Sequence, residues 1–246
     1  MRVATISDIH GNLEALLRVL DDVAQVGADR IMSLGDNIGY GPEPEQVVAL
    51  LRQRGIASIM GNHELALASP GYLEQLNPTA RASMRITRTL LSPAATAYCL
   101  GLPLFRLEAG ARLVHGCPPD SPSTYLFAPP PARLRRLFQL FAEPLCFFGH
   151  THLLLLYDWD GVTSRTSEPR AGDYQLDPER RYLVNVGSVG QPRDGTSHAK
   201  YLIWDQERAA LTVRLVRYDV AVTARKIMAL GFPAINAQRL GWQGEP

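Results

Sequence analysis

No run of apolar residues in this chain approaches the ~18 needed to cross a bilayer, which excludes a helical membrane protein. The N-terminus runs from Met1-Arg2 through Val3, Ala4, Thr5 and Ile6 to Asp8, too short an apolar stretch for a secretory signal. Cysteine is scarce as well. Cys99, Cys117 and Cys146 are odd in number and lack C-x-x-C spacing, which fits free thiols in a reducing compartment, so a cytoplasmic protein is expected. Neither sign of charge dominates: 25 Lys+Arg against 24 Asp+Glu leave no broad basic field for long nucleic acids, and a small phosphorylated substrate fits better. Internal repeats and low-complexity segments are absent.

What remains is an ordinary globular composition, 46% hydrophobic and 20% charged over 246 residues, read as a single α/β domain spanning 1–246. The informative feature is where histidine falls. Five of the six histidines lie in four short clusters, each after an apolar, strand-like run: Asp8-Ile9-His10, Gly61-Asn62-His63-Glu64, His115-Gly116 and Gly149-His150-Thr151-His152. Gly35-Asp36-Asn37 has the same placement. Carboxylate oxygen, amide oxygen and neutral imidazole form a ligand set for Mn, Zn or Fe, and strand ends are where an α/β sheet gathers reactive side chains. The pattern predicts a two-metal hydrolytic site.

Val3 to Ser7 reads as a buried strand, followed by Leu13, Leu16, Leu17, Leu20, Val23 and Ala24 at helical spacing. The unit repeats with a strand over Arg30 to Leu34, a helix from about Glu43 to Arg54 and a strand over Ile56 to Met60. Residues 64–103 read as a helical insert punctuated by Pro70, Pro78, Pro93 and Pro103. Further strands are expected at Leu113-Val114, Leu145 to Phe148, Leu153 to Tyr157, Tyr182 to Val186, Tyr201 to Trp204 and Leu211 to Val216. Their close spacing predicts a more antiparallel second half. The tail, about 232–246, is expected to pack loosely.

Five motifs in order, Asp8-x-His10, Gly35-Asp36, Gly61-Asn62-His63-Glu64, Val114-His115-Gly116 and Gly149-His150-x-His152, resemble the calcineurin-like metallophosphoesterases, in particular the small bacterial phosphodiesterase branch. The resemblance runs from about Met1 to Tyr218. It implies a four-layer αββα sandwich and hydrolysis of a P–O bond by metal-hydroxide attack. It also implies that Asp8, His10, Asp36 and His152 hold one metal and that Asp36, Asn62, His115 and His150 hold the other, with Mn favoured. A bridging carboxylate at Asp36 would offset repulsion between the two cations. The family assigns the His63 position to the substrate phosphate and to protonation of the leaving oxygen, work suited to a group titrating near neutral pH. In His150-Thr151-His152 a strand period would send both imidazoles to one side.

Departures from related branches narrow the substrate. Protein phosphatases and dinucleoside-tetraphosphate hydrolases of the superfamily carry an arginine four residues after the bridging aspartate, where this chain has Tyr40, and a phenol makes no bidentate clamp on a dianion. Arg193, in the glycine-rich stretch Asn185 to Gly195, is the candidate replacement. The expected activity is a phosphodiesterase, with a nucleotide phosphomonoesterase or pyrophosphohydrolase as the alternative. A protein-binding scaffold on the same fold, as in the retromer subunit resembling this family, lacks the catalytic histidine that His63 supplies here. Glu64 reads as an orienting or capping residue. Cys117 reads as a buried thiol and His198 as a loop histidine. Arg81, Arg85 and Arg88 share one helix face, and the proline-rich loop 117–131, with Tyr125 and Phe127, is either a lid or a surface loop.

Overall fold

The computed structural model describes residues 1–244. Its strands are β1 (Arg2–Ile6), β2 (Arg30–Ser33), β3 (Ala57–Ser58), β4 (Phe105–Glu108), β5 (Ala111–Val114), β6 (Leu145–Phe148), β7 (Leu154–Trp159), β8 (Ser164–Ser167), β9 (Gly172–Gln175), β10 (Arg181–Val186), β11 (Ala199–Asp205) and β12 (Ala210–Val216). The helices are α1 (Leu13–Val26), α2 (Pro44–Gln53), α3 (Asn62–Ala68), α4 (Pro70–Gln75), α5 (Pro78–Leu90), α6 (Pro93–Leu100), α7 (Pro131–Phe138), α8 (Val220–Ala229) and α9 (Ile235–Gln238).

Helix α1 follows from its sequence. Asn12 caps it by accepting the Ala15 N–H, Leu16, Val19, Leu20 and Val23 make one buried stripe, and Gly27 ends it. In the insert, Pro70, Pro78 and Pro93 each begin a helix, at the position where a missing N–H costs nothing.

Two six-stranded sheets form, in the orders β3-β2-β1-β11-β12-β9 and β4-β5-β6-β10-β7-β8. Within them β1, β2 and β3 are mutually parallel, as are β5, β6 and β10, while the outer partners are antiparallel. Three apolar clusters define four layers. Val3, Leu34, Leu113, Phe147, Val184 and Leu202 pack between the sheets. Leu16, Val19 and Leu20 of α1 and Val47 and Leu51 of α2 cover the outer face of the first sheet. Leu134, Leu137 and Phe138 of α7 cover that of the second. This is the αββα sandwich.

The structure corrects three local expectations. The strand expected over Ile56 to Met60 is only β3, two residues long. His150-Thr151-His152 is not strand but a turn, with φ of 67° at His150 and 62° at His152, so its rings are aimed by backbone strain and not by a strand period. The C-terminal segment is packed: Phe232, Ala237 and Leu240 join Ala224 and Ile227 of α8 against Ile86 and Leu90 of α5. Buried Asn236 donates to the Tyr40 carbonyl and to Ser83 Oγ. Elements absent from the sequence reading are edge strands β4, β8 and β9 and helices α7 to α9. The mostly exposed residues of Ser164–Ser167 and Gly172–Gln175 leave no alternating apolar signal.

Candidate metal centre

The C-terminal ends of the parallel strands point to one place. Asp8 and His10 follow β1, Asp36 follows β2, Asn62 opens α3 just after β3, His115 follows β5, and His150 and His152 follow β6. This is the end of an α/β sheet where ligands bind, here doubled by the second sheet. All of these residues, and His63, are buried, none more than 4% exposed.

Backbone strain concentrates there. Of nine non-glycine residues with positive φ among those described, six belong to the centre or its wall: Asp8, His10, Asp36, Tyr40, His150 and His152. Each such conformation costs on the order of 1–3 kcal/mol and persists only where surrounding contacts enforce it. The enforcing contacts are specific. Glu64 accepts the backbone N–H groups of Asp36, Asn37 and Gly61, and also the Asn37 side chain. The Asp8 carbonyl accepts Gly190 N–H and Ser188 Oγ–H. Gly61 and Gly149 admit no side chain, because a Cβ would run into the carboxyl of Asp36 or of Asp8.

Three histidines share one construction. Nδ1 donates to a backbone carbonyl in each: His10 to Ile38 at 3.0 Å, His115 to Leu34 at 2.8 Å and His152 to Gln191 at 2.5 Å. A carbonyl only accepts, so Nδ1 carries the proton and Nε2 turns a lone pair inward. His150 is reversed: Nε2 donates to the Ser123 carbonyl at 3.1 Å, leaving Nδ1 free to face the centre.

The inward atoms crowd together in a way that positive charge would relieve. His10 Nε2 and His152 Nε2 lie 3.2 Å apart, and Asp8 Oδ1, buried without a hydrogen-bond partner, is 3.2 Å from His152 Nε2. His115 Nε2 is likewise buried without a hydrogen bond, 3.3 Å from Asp36 Oδ2. Burial holds His10 and His152 well below the ordinary imidazole range, so neither supplies that charge as a proton. Burial raises Asp8 to about 6. At Asp36 the same effect is overcome, chiefly by the facing His115, whose own pKa Asp36 and Asp8 raise to about 9 against its burial. Three sets of donor atoms close enough to share a cation result: Asp8, His10 and His152; His10, Asp36 and His63; and Asp36, His115 and His150. Carboxylate and imidazole without thiolate are a fitting donor set for borderline divalent ions.

His63 stands at the rim of this group. Its backbone N–H donates to Asp36 Oδ1 at 2.8 Å, its Nδ1 lies 3.2 Å from Met84 Sδ, and its Nε2 lies 3.9 Å from Asp36 Oδ2. The Tyr40 ring packs 4.7 Å from His10 and 4.6 Å from His63, and the Arg193 guanidinium sits 5.9 Å from the Tyr40 centroid. The late glycine-rich loop therefore does bring Arg193 to the centre.

Other residues fall elsewhere. Arg81 and Arg85 pair with Glu74 and Arg88 bonds carbonyls of α3, so they brace the insert and form no basic wall over the site. Cys117 lies in the core beneath the 117–131 loop. His198 neighbours Arg217, remote from the cluster. The sequence reading passed over Ser7, whose hydroxyl donates to Asp8 Oδ2 at 2.6 Å, Gln191, which aims His152, and Ser123, which aims His150. Two of these three act through main-chain carbonyls, which no side-chain motif records.

Comparisons with known proteins agree with this geometry. The family model of the calcineurin-like phosphoesterases matches residues 1–154. An uncharacterized protein of Methanocaldococcus jannaschii is 32% identical over 97% of this chain and 96% of its own length. A metallophosphoesterase crystal structure from Sphaerobacter thermophilus superposes with a TM-score of 0.83 at 36% identity, covering 98% of both chains. A hypothetical protein from Pyrococcus horikoshii, 19% identical, shares the fold with a TM-score of 0.76 over 100% of this chain and 99% of its own. With the sandwich, the ordered motifs and the convergent ligand set already in place, the chain belongs to the calcineurin-like phosphoesterases and is a phosphoric ester hydrolase.

Proposed function

We propose that the enzyme is a dinuclear phosphoesterase that favours phosphodiesters, with Asp8, His10, Asp36 and His152 holding one divalent ion and Asp36, Asn62, His115 and His150 the other. The carrying observation is the convergence on one space of the buried donor atoms of Asp8, His10, Asp36, His115, His150 and His152, with Asp8 Oδ1 and His115 Nε2 lacking a hydrogen bond. Bound divalent ions supply Lewis acidity and bring the ionisation of water toward neutral pH. Manganese suits the carboxylate and amide oxygens of the set, with zinc and iron as the other candidates. Asp36 is the bridge: its Oδ2 lies within 3.3–3.9 Å of His115, His10 and His63, and it belongs to two of the three donor sets.

His63 is assigned the proton for the leaving oxygen. Its backbone N–H and the tilted Tyr40 ring fix its direction, and burial, the largest influence, lowers its pKa below the usual imidazole value. Tyr40 and Arg193 line the substrate side. The diester preference rests on Tyr40, which cannot clamp a phosphate dianion as an arginine would. Small phosphorylated compounds are the substrates, and the three buried free thiols suit a cytoplasmic enzyme.

The test is turnover of an aryl phosphodiester and the matched aryl monoester by the Mn-loaded enzyme and by Arg193→Ala. The diester is expected to give the higher kcat/KM in both. A wild-type preference for the monoester that Arg193→Ala removes would make Arg193 the replacement clamp and the diesterase assignment wrong.

A further inference from the structure

The loop between β5 and α7 carries two large aromatic rings that the protein does not bury, and they begin at the metal centre. Tyr125 lies flat on His150, with centroids 3.7 Å apart and planes inclined by 24°, and Phe127 continues the stack at 5.2 Å and 10°. Tyr125 is 42% exposed and Phe127 52%. Between them Leu126 is fully buried, among Val114, Leu134, Phe138 and Tyr157. An inward Leu126 forces its two neighbours outward, so both rings are held in solvent by a residue the core cannot release.

The loop is fixed, not slack. Ser121 Oγ accepts N–H groups from Ser123 and Thr124, Gly116 and Cys117 bond the Ser121 carbonyl, and the Ser123 carbonyl is the acceptor for His150 Nε2. Tyr72 of α4 reaches Ser123 with its hydroxyl, tying the loop to the insert. Beyond Phe127, Ala128 adopts a φ of 32°, and the run from Pro129 to Pro131 stiffens the approach to α7. A rigid pair of exposed rings stacked outward from a candidate metal ligand is an expensive surface for a soluble face to leave in water.

We propose that Tyr125 and Phe127 form a stacking platform for the base of a nucleoside phosphoester, so that the substrate's phosphate meets the centre while its planar ring lies on Phe127. The inference rests on the phosphoesterase assignment above and names the class of its substrate. Phosphate and base of a nucleotide are separated by one sugar, and the stack runs from the centre outward by one ring beyond Tyr125. A flat, delocalised ring gains dispersion on Phe127 that an alkyl group of similar mass does not, and stacking tolerates any base. Arg193 and Tyr40, beside His63 and His10, leave the phosphate its own end of the site. The reaction stays a hydrolysis: oxygen from water joins phosphorus, the P–O bond to the leaving group breaks, and the leaving oxygen takes a proton.

The experiment compares the 4-nitrophenyl ester of thymidine 5′-phosphate with methyl 4-nitrophenyl phosphate, which share the reacting bond and differ in the base-bearing group. The ratio of kcat/KM values should favour the nucleoside, fall on the order of 10- to 100-fold in Phe127→Ala and be retained in Phe127→Trp. An unchanged ratio in Phe127→Ala, or an equal fall in Phe127→Trp, overturns the platform. If neither diester turns over while monoesters do, the diester assignment has failed, and the same ratio is read on thymidine 5′-monophosphate against 2-deoxyribose 5-phosphate. Calorimetric binding of that second pair needs no turnover: tighter binding of the nucleotide, lost in Phe127→Ala, supports the platform, and equal binding of both ligands removes it.

Discussion

The centre and its rim are built on opposite principles, and the contrast separates what makes the reaction possible from what selects its substrate. In the centre, side chains are almost wholly buried, six backbone positions of the centre and its wall are strained, and Asp8 Oδ1 and His115 Nε2 are left in the middle without a hydrogen bond. At the rim, Tyr125 and Phe127 are exposed and held by ring contacts, and Arg193 makes one side-chain hydrogen bond, to Gln191. Strain and burial hold ligand geometry against the repulsion of like lone pairs. Exposed aromatic area contributes affinity without constraining the chemistry.

The largest effect should come from the residue proposed to bridge the two ions. Asp36→Asn is expected to bring bound Mn well below two ions per chain and turnover down to background, since the bridge serves both positions. Elemental analysis after chelation and reloading reads this directly, and retention of two ions in the variant would separate Asp36 from the metals. Next, His63→Ala should keep both ions and lose turnover on the order of 10²–10⁴-fold with an alkyl leaving group. The loss should be smaller with nitrophenolate, which leaves without a proton. Equal losses on the two esters would make His63 a phosphate-positioning residue.

Glu64→Gln examines the strain without touching a ligand. The carboxylate accepts N–H groups from Asp36, Asn37 and Gly61, and an amide can take them only by turning its NH₂ toward one of those donors. A loss of about 2–3 kcal/mol in unfolding free energy of the metal-free protein is expected from urea titration. Unchanged stability would mean that the turn after β2 holds Asp36 unaided.

The smallest effect is a control far from both regions. Asp22 bonds Arg214 at 2.7 and 2.9 Å and accepts the Tyr201 hydroxyl, and the Arg214 contact first of all lowers its pKa. A carboxylate whose folded pKa lies below its unfolded value of ~3.9 stabilises the fold fully above that value. The contribution fades as pH falls through the folded pKa. Melting temperature should therefore fall more steeply between about pH 5 and 3 in the wild type than in Asp22→Asn, with modest amplitude because the pair is partly solvated. Parallel curves would show that Asp22 is no more favourably charged in the folded state.

The ordered motifs were legible in the sequence because strand, turn and helix periods are local, and the turn after a strand is where an α/β fold displays side chains. Asp8, His10, Asp36, His115, His150 and His152 could thus be named, while the four-layer sandwich came from the family resemblance that those motifs carry. The sequence could not show that His150 and His152 are aimed by left-handed turns, since those φ values are imposed by neighbours such as Asn185, which bonds Gly149 and Thr151 from β10. Nor could it show which nitrogen of each histidine faces inward, a choice made by carbonyls of Leu34 and Ile38, Gln191 and Ser123 from three separate loops. Edge strand β9 and the packing of Phe232 to Leu240 were hidden for a related reason, since their partners are distant in the chain, while β8 forms a hairpin with β7 but its mostly exposed residues carry no alternating period. Residue type and spacing determined the donor set and its order. Long-range hydrogen bonds and packing decided its direction, because a lone pair's aim depends on the atom behind it.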